Sequence, residues 1–291
     1  MTDVTLRCVG ILSPGDMGSA IGNVLRQTGL DVLTLLTGRS ALTRDRALEA
    51  GFRDAGSIDD LVRESDLILS VLVPSEAVRI AEQVTAAMRR TGARPVFADC
   101  NAIAPQTVTR IDAMVREAGG CFIDAGIIGG PPAAPGSNTR FPCSGPDTAA
   151  FEALARHGLN VSVVGPRIGQ ASGLKMCYAA STKGTTALWT ELMTAAHALG
   201  LEDALMAELG SGATSALRGI PGMPSKARRW VGEMEEIAAT FAGVGLTPRI
   251  FEGAADMYRL VSATPLADQT PRDPNPTVDE VLDTLTRHLG E

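Results

Sequence analysis

The sequence predicts an α/β fold: a doubly wound, mainly parallel sheet over residues 1–165, followed by an all-α domain over 166–291. Three observations carry this. Short β-rich runs alternate with helical stretches through the first half, the pattern of right-handed βαβ units. The first strand runs directly into a glycine-containing turn that opens a helix. After Gly165 long helical segments follow one another with no convincing strand, and that change marks the boundary. A chain of 291 residues is long enough for about two domains. With 45% hydrophobic residues it can bury a sizeable core.

The elements are read in order. "TLRCVGIL" is a strand, and "GSAIGNVLRQTG" has helical spacing and closes at Gly29. "DVLTLL" is a second strand. "SIDDLVRESD" is a short helix with Ser57 as its cap. "LILSVLV" is a buried strand, and "SEAVRIAEQVTAAMRRTG" is an amphipathic helix ending at Gly92. "PVFADC" and "CFIDAG" are strands flanking the helix "APQTVTRIDAMVREAG", and "TRFPCSG" and "NVSVVG" are two more. The segment "ASGLKMCYAASTKGTTALW" begins a long helix at Ala171. The Pro-rich "ATPLADQTPRDPNPTVDE" is extended and precedes a final helix to Leu289.

Composition narrows the function. Net charge is −7 and there is no dense Lys/Arg run, which argues against nucleic acid as a partner. "SKARRW" at 225–230 is short and reads as a solvated or substrate-facing patch. Five cysteines with no CxxC pair fit a reducing compartment, and three scattered histidines give no metal motif. The N-terminus lacks a signal-peptide layout, and no apolar run approaches the roughly 20 residues of a membrane span. A cytoplasmic protein that binds neither membrane nor metal is therefore expected.

The turn after the first strand reads "LSPGDMGSAIG". Gly15 and Gly18 hold the second and third positions of GxGxxG, and Ser13 holds the first. Such a turn lets backbone N–H groups approach a pyrophosphate at a helix N-terminus, the signature of a Rossmann-type dinucleotide site. Ser13, Pro14, Gly15, Asp16, Met17 and Gly18 are the candidate cofactor-binding residues of this turn. An NAD site usually places an acid at the end of the second strand. Here "LLTGRSALTRDRA" has Arg39 and Ser40 instead, with Arg44 beyond. Arginine pairs with a 2′-phosphate, so NADP is expected over NAD.

Lys175 stands near the start of an otherwise apolar helix. A buried ammonium loses hydration and tends towards the neutral amine, a cost unless proton transfer is its purpose. Tyr178 is one helical turn away and shares its face, so its phenol could orient substrate or relay a proton. Lys183, about 80° further round an ideal helix, is a candidate for an anionic substrate group, as is Arg140. The loop "GGPPAAPGSN" is stiffened by its prolines, and "GIPGMPSKARR" is a candidate lid segment.

The order of "GILSPGDMG", "SVLVPSEA", "FADCNAIAP", "DAGIIGGPP" and "GLKMCYAASTKG" resembles the β-hydroxyacid dehydrogenase superfamily. That superfamily includes 6-phosphogluconate and 3-hydroxyisobutyrate dehydrogenases. The C-terminal stretch "RRWVGEMEEIAATFAGVGLTPRIFEGAADMYR" resembles a poorly characterised branch with a 6-phosphogluconate-dehydrogenase-like C-terminal domain. The resemblance implies that Leu72, Val73, Pro74 and Asn101 lie near the nicotinamide ribose. It implies that Gly129 and Gly130 border substrate, and that Lys175 is the catalytic lysine facing an interdomain cleft. It also implies a homodimer formed through the helical domain and a small-molecule substrate, expected to be anionic.

The chain departs from the family pattern around that lysine. Ile128 replaces the serine before the glycine pair, and Ala179 replaces the asparagine four residues after the lysine. Tyr178 and Thr182 replace a histidine and a glutamate of the 6-phosphogluconate enzymes, which weakens the case for decarboxylation. The leading expectation is an NADP-dependent oxidoreductase of a small hydroxy acid or related alcohol/carbonyl pair. Imine or ketimine reduction on the same fold, and a non-catalytic NADP-binding sensor, are the alternatives.

Overall fold

In the computed structural model, residues 4–210, 212–270 and 273–289 are described. The chain divides into two compact units, Met1–Lys175 and Met176–Glu291. The sequence places the change at 165/166, where the last strand ends. The intervening segment, including the start of the next helix, is bonded to the first unit through Asp124.

The first unit is built on one sheet of order β3-β2-β1-β4-β5-β6-β7-β8. Its strands are β1 (Cys8–Ile11), β2 (Asp31–Thr34), β3 (Arg53–Asp54), β4 (Leu67–Ser70), β5 (Val96–Asp99), β6 (Phe122–Ala125), β7 (Arg140–Ser144) and β8 (Asn160–Gly165). Pairing is parallel except between β6 and β7. Helices α1 (Asp16–Gln27), α2 (Ala41–Glu49), α3 (Ile58–Glu64), α4 (Ala77–Thr91), α5 (Pro105–Glu117) and α6 (Ala149–Glu152) connect them.

Central strands are apolar on both sides because both faces are covered. Side chains alternate across the pleat. Leu67 and Leu69 of β4 join Val9, Ile11 and the α1 residues Ile21, Val24 and Leu25 on one face. Ile68 joins Phe97, Phe122 and the α4 residues Ile80, Val84 and Met88 on the other. Ser57 caps α3 as the sequence predicts, accepting from Asp60 N, and Gly92 ends α4 in the left-handed conformation. The pair α2 and β3 is absent from the sequence reading. Within α2 only Ala47 is buried, so no apolar stripe announces the helix.

The second unit is helical. Helix α7 (Gln170–Ala179), which contains the division between the units, continues through a π turn, Ala180–Gly184, into α8 (Thr185–Ala198). There follow α9 (Glu202–Leu209), α10 (Ala213–Ala216), α11 (Ala227–Gly243), α12 (Arg249–Ser262) and α13 (Val278–Leu289). Its core is centred on the α11 and α12 residues Met234, Ile237, Tyr258 and Val261, all fully buried. Part of the Pro-rich stretch, at 271–272, lies outside the described residues; before it, Pro265–Asp268 forms a 3-10 turn. Among the described residues no helix is long and apolar enough to cross a membrane.

Gly18 is where strand-end and helix approach most closely. A Cβ there would sit 1.9 Å from the Ser13 carbonyl oxygen, a backbone atom that cannot swing away. Gly18→Ala is therefore expected to destabilise the protein by about 1–3 kcal/mol or more, read as a lower urea midpoint. An unchanged midpoint would mean that this turn relaxes freely.

Candidate functional site

The turn between β1 and α1 is shaped by two glycines for different reasons. Gly18 permits the close approach just described. Gly15 faces open space, its nearest neighbour to a built Cβ being Ser13 Oγ at 4.0 Å. That leaves a cradle beside the first turn of α1, whose N–H groups lack intrahelical acceptors. Ser13 in the first position is explained by backbone geometry: among the described residues no non-glycine adopts positive φ, so the turn needs no glycine there. The turn is tied by Ser19 Oγ donating to the Pro14 carbonyl at 2.6 Å. Asp16 points its carboxylate to Arg46 of α2, at 2.7 Å, which offsets its negative charge near the cradle. Met17 is partly buried against the core. These residues fit a dinucleotide's pyrophosphate.

Past β2 the half-buried Arg39 reaches back and donates from Nη2 to the Leu12 carbonyl at 2.7 Å. Burial lowers its pKa most, the facing Arg79 guanidinium adds to this, and Glu76 opposes it. Ser40 is exposed and caps α2 by accepting from Thr43 N. Arg44 Nε donates to the Arg39 carbonyl at 3.0 Å, so the loop presents a cluster of guanidiniums. Next to it lies a cavity of about 590 Å³, walled by Leu35, Thr37, Ser57, Ile58, Arg79 and Arg90 among others. The sequence reading missed Arg79. Its signal was an arginine in the first turn of the helix that follows β4.

A second cluster lies at the C-terminal ends of β4, β5 and β6. Asn101 is buried; its Oδ1 accepts from Leu72 N, and its Nδ2 donates to Ser70 Oγ at 2.9 Å and Asp99 Oδ2 at 2.8 Å. Asn101 is thereby locked in one amide orientation and fixes the loop Leu72, Val73 and Pro74. Val73 is exposed, and Pro74 opens a short 3-10 turn. Asp99 is buried beside Asp124, its partner across β5 and β6. Burial pushes the Asp99 carboxyl up to about 7 against the bonds from Asn101, and Asp124 adds to the rise.

Lys175 is half-buried, and its Nζ donates to the Ile127 carbonyl at 2.6 Å. Gly126 makes that approach possible, since a Cβ there would sit 3.2 Å from Lys175 Cβ. The segment runs on to Gly129 and Gly130, both exposed. Gly129 has φ +128, and the Gly130 carbonyl accepts from Thr139 Oγ1 at 2.6 Å. Ile128 is buried, so its replacement of a hydroxyl residue leaves an apolar contact there. Tyr178 follows Lys175 on the same helix and is 40% exposed.

Lys183 corrects the sequence expectation. The π turn shifts the helix register, and Lys183 forms an ion pair with the buried Glu233. Its ammonium also lies 5.2 Å from the centre of the Trp230 ring, and its carbonyl accepts from Tyr258 Oη at 2.5 Å. Burial lowers its pKa, opposed first by Glu233. The lysine is committed to a carboxylate of its own unit, which satisfies the charge that was assigned to substrate. Among the described residues, no group of His, Cys, Asp and Glu is placed to hold a metal ion.

Comparison with known proteins adds the family. Residues 8–163 match the model of the NAD binding domain of 6-phosphogluconate dehydrogenase, and residues 196–261 match a domain of unknown function, DUF1932. A solved conserved protein of unknown function, described as structurally similar to 3-hydroxyacid dehydrogenases, is 32% identical. It is matched over 88% of this chain and 99% of its own, with a TM-score of 0.66. A Mycobacterium tuberculosis 3-hydroxyisobutyrate dehydrogenase, solved with L-serine, is similar in fold at 20% identity, covering 97% of this chain and 99% of its own with a TM-score of 0.69. The mitochondrial 3-hydroxyisobutyrate dehydrogenase of Bos taurus is 26% identical over 69% of this chain and 60% of its own length.

Asp99 gives this site a pH signature. A carboxyl raised on folding stabilises the protein fully below the ordinary carboxylate range and loses that contribution as pH rises through about 7. Stability is therefore expected to fall between about pH 4 and pH 7. Asp99→Asn should flatten that slope in denaturant melts recorded across pH; an identical slope would show that Asp99 ionises without cost.

Proposed function

Because the chain belongs to the β-hydroxyacid dehydrogenase superfamily, and so is an NAD(P)-dependent dehydrogenase or reductase, we propose a more specific activity for it. It is an NADP-dependent oxidoreductase of a small, anionic hydroxy acid or a related alcohol/carbonyl pair, with Lys175 as general acid and base. The observation that carries this reading is the seat of Lys175, whose ammonium is held by the Ile127 carbonyl two residues before the Gly129–Gly130 pair.

The cofactor, when bound, supplies or accepts the hydride. In the oxidative direction the neutral amine of Lys175 takes the hydroxyl proton as the hydride leaves carbon; in reduction the ammonium returns it. The charged form also stabilises the negative oxygen that develops. Tyr178 is assigned the orientation of substrate. The first turn of α1, from Gly15 to Gly18, holds the pyrophosphate. Asn101 orders Leu72–Pro74 beside the nicotinamide ribose. Arg39 and Ser40 receive the 2′-phosphate, with Arg79 supplying a further charge. In sequence, Arg39 and Ser40 rather than an acid follow β2, which favours NADP over NAD. The buried Ile128 removes a hydroxyl from the segment before the glycine pair, and for that reason imines belong beside hydroxy acids in any substrate panel.

Two variants test the assignment. Lys175→Ala should lower kcat by about a hundredfold or more while NADPH still quenches or enhances intrinsic fluorescence with similar affinity. Full turnover in that variant would remove the lysine from the mechanism. Arg39→Ala should weaken NADPH by roughly ten- to a hundredfold, the worth of a charge-assisted contact, and leave NADH binding unchanged. Equal losses for both cofactors would contradict the 2′-phosphate role.

A further inference from the structure

We infer that Asp124 is the positioning residue of Lys175: its carboxyl group caps the helix that carries the lysine, from the same strand end whose continuation holds the ammonium. The inference rests on the proposed role of Lys175. Helix α7 begins after Gly169, which has φ +95 and no side chain with which to cap. The cap comes instead from 45 residues earlier in the chain. Asp124, at the end of β6, accepts from Gly169 N at 2.9 Å, Ala171 N at 3.0 Å and Ser172 N at 3.1 Å. It also accepts from Ser144 Oγ at 2.9 Å and from Ser172 Oγ.

Three backbone N–H groups converge on one oxygen and a hydroxyl lies at each, an arrangement that favours the ionised carboxylate. Burial raises its pKa, and the Ser172 bonds act most strongly against that rise. The positive end of the helix dipole is neutralised at the same place.

The same segment then holds the other end of the lysine. Asp124 fixes the start of α7, Gly126 lets the helix come close, and Ile127 accepts the ammonium. A shift of this strand end would carry the cap and the lysine's acceptor together. The titratable groups around this strand end are Asp99 on β5, Cys100 just after it and Cys143 on β7. Asp99 and both cysteines are coupled to Asp124, and burial pushes the cysteines' thiols upward. The thiols are thus neutral near physiological pH, and the donors around Asp124 act against the rise that burial imposes on it.

The chain holds three lysines, Lys175, Lys183 and Lys226. Lysine labelled with 13C at Cε therefore gives three resolved side-chain signals, assigned through single Lys→Arg variants. In Asp124→Asn the helix start loosens and the ammonium loses its hold on the Ile127 carbonyl, so the titration midpoint of Lys175 should fall by about half to one pH unit. Lys183 and Lys226 should not move. A Lys175 midpoint equal to that of the unmodified protein would overturn the proposal.

Should Asp124→Asn fail to fold, amide exchange in the unmodified protein decides. Protection of Ala171 and Ser172 comparable to that of β5 is expected, and exchange as fast as a frayed helix start would overturn the cap. Neither measurement uses turnover. Failure here leaves the lysine's catalytic role standing, whereas an active Lys175→Ala would remove that role and leave the cap intact.

Discussion

A single buried carboxylate joins the sheet to the helix on which the proposed chemistry depends. Asp124 accepts from the backbone at the beginning of α7 and from two hydroxyls. A helix start has N–H groups with no partner of their own, and leaving them buried and unpaired costs about 1–3 kcal/mol each. A distant acid meets that need and, unlike a local cap, also locks the helix to one strand end. The lysine's position then follows from the sheet rather than from the loop.

The second buried acid is the cost of this arrangement. Asp99 and Asp124 are register partners on adjacent parallel strands, and two negative charges so close in a dry site oppose one another. The structure separates their roles by their donors. Asp124 collects donors from a helix start and two serines. Asp99 has Asn101 and Ser70, and burial leaves it close to neutrality. One carboxyl group therefore serves as the cap of a helix, while the other serves as a hydrogen-bonding bracket for Asn101. The open end of a parallel sheet is where ligands of doubly wound folds bind, and both acids lie there without facing solvent.

Much of this was legible in the sequence, and the reasons for the rest are physical. Both glycines of the first turn and the arginine after β2 were visible because each has a local rationale: missing Cβ, close approach, charge. Ser13 looked like a defect only under a motif that asks for glycine. The backbone shows negative φ there, so serine is no burden. Helix α2 was invisible because it buries only Ala47 and so carries no apolar stripe. Lys183 was misjudged because ideal 3.6-residue periodicity cannot foresee a π turn, which moves every later side chain round the axis. Asp124 read as one more strand residue in "CFIDAG". Nothing local marks it, since its partners come from segments 20 and 45 to 48 positions away.

The charge pattern follows the same logic. The chain as a whole is acidic, at −7, yet Arg39 after β2 lies close enough to feel Arg79 of α4, which lines the neighbouring cavity. Arg39 keeps its charge there at the cost of burial and of a facing guanidinium. Two like charges held together in a partly dry site oppose one another, and Glu76, paired with Arg79, offsets part of that cost. A solvated surface loop would spread such residues apart. The proposed preference for NADP rests on this convergence and on Arg39 and Ser40 standing where an acid would otherwise lie.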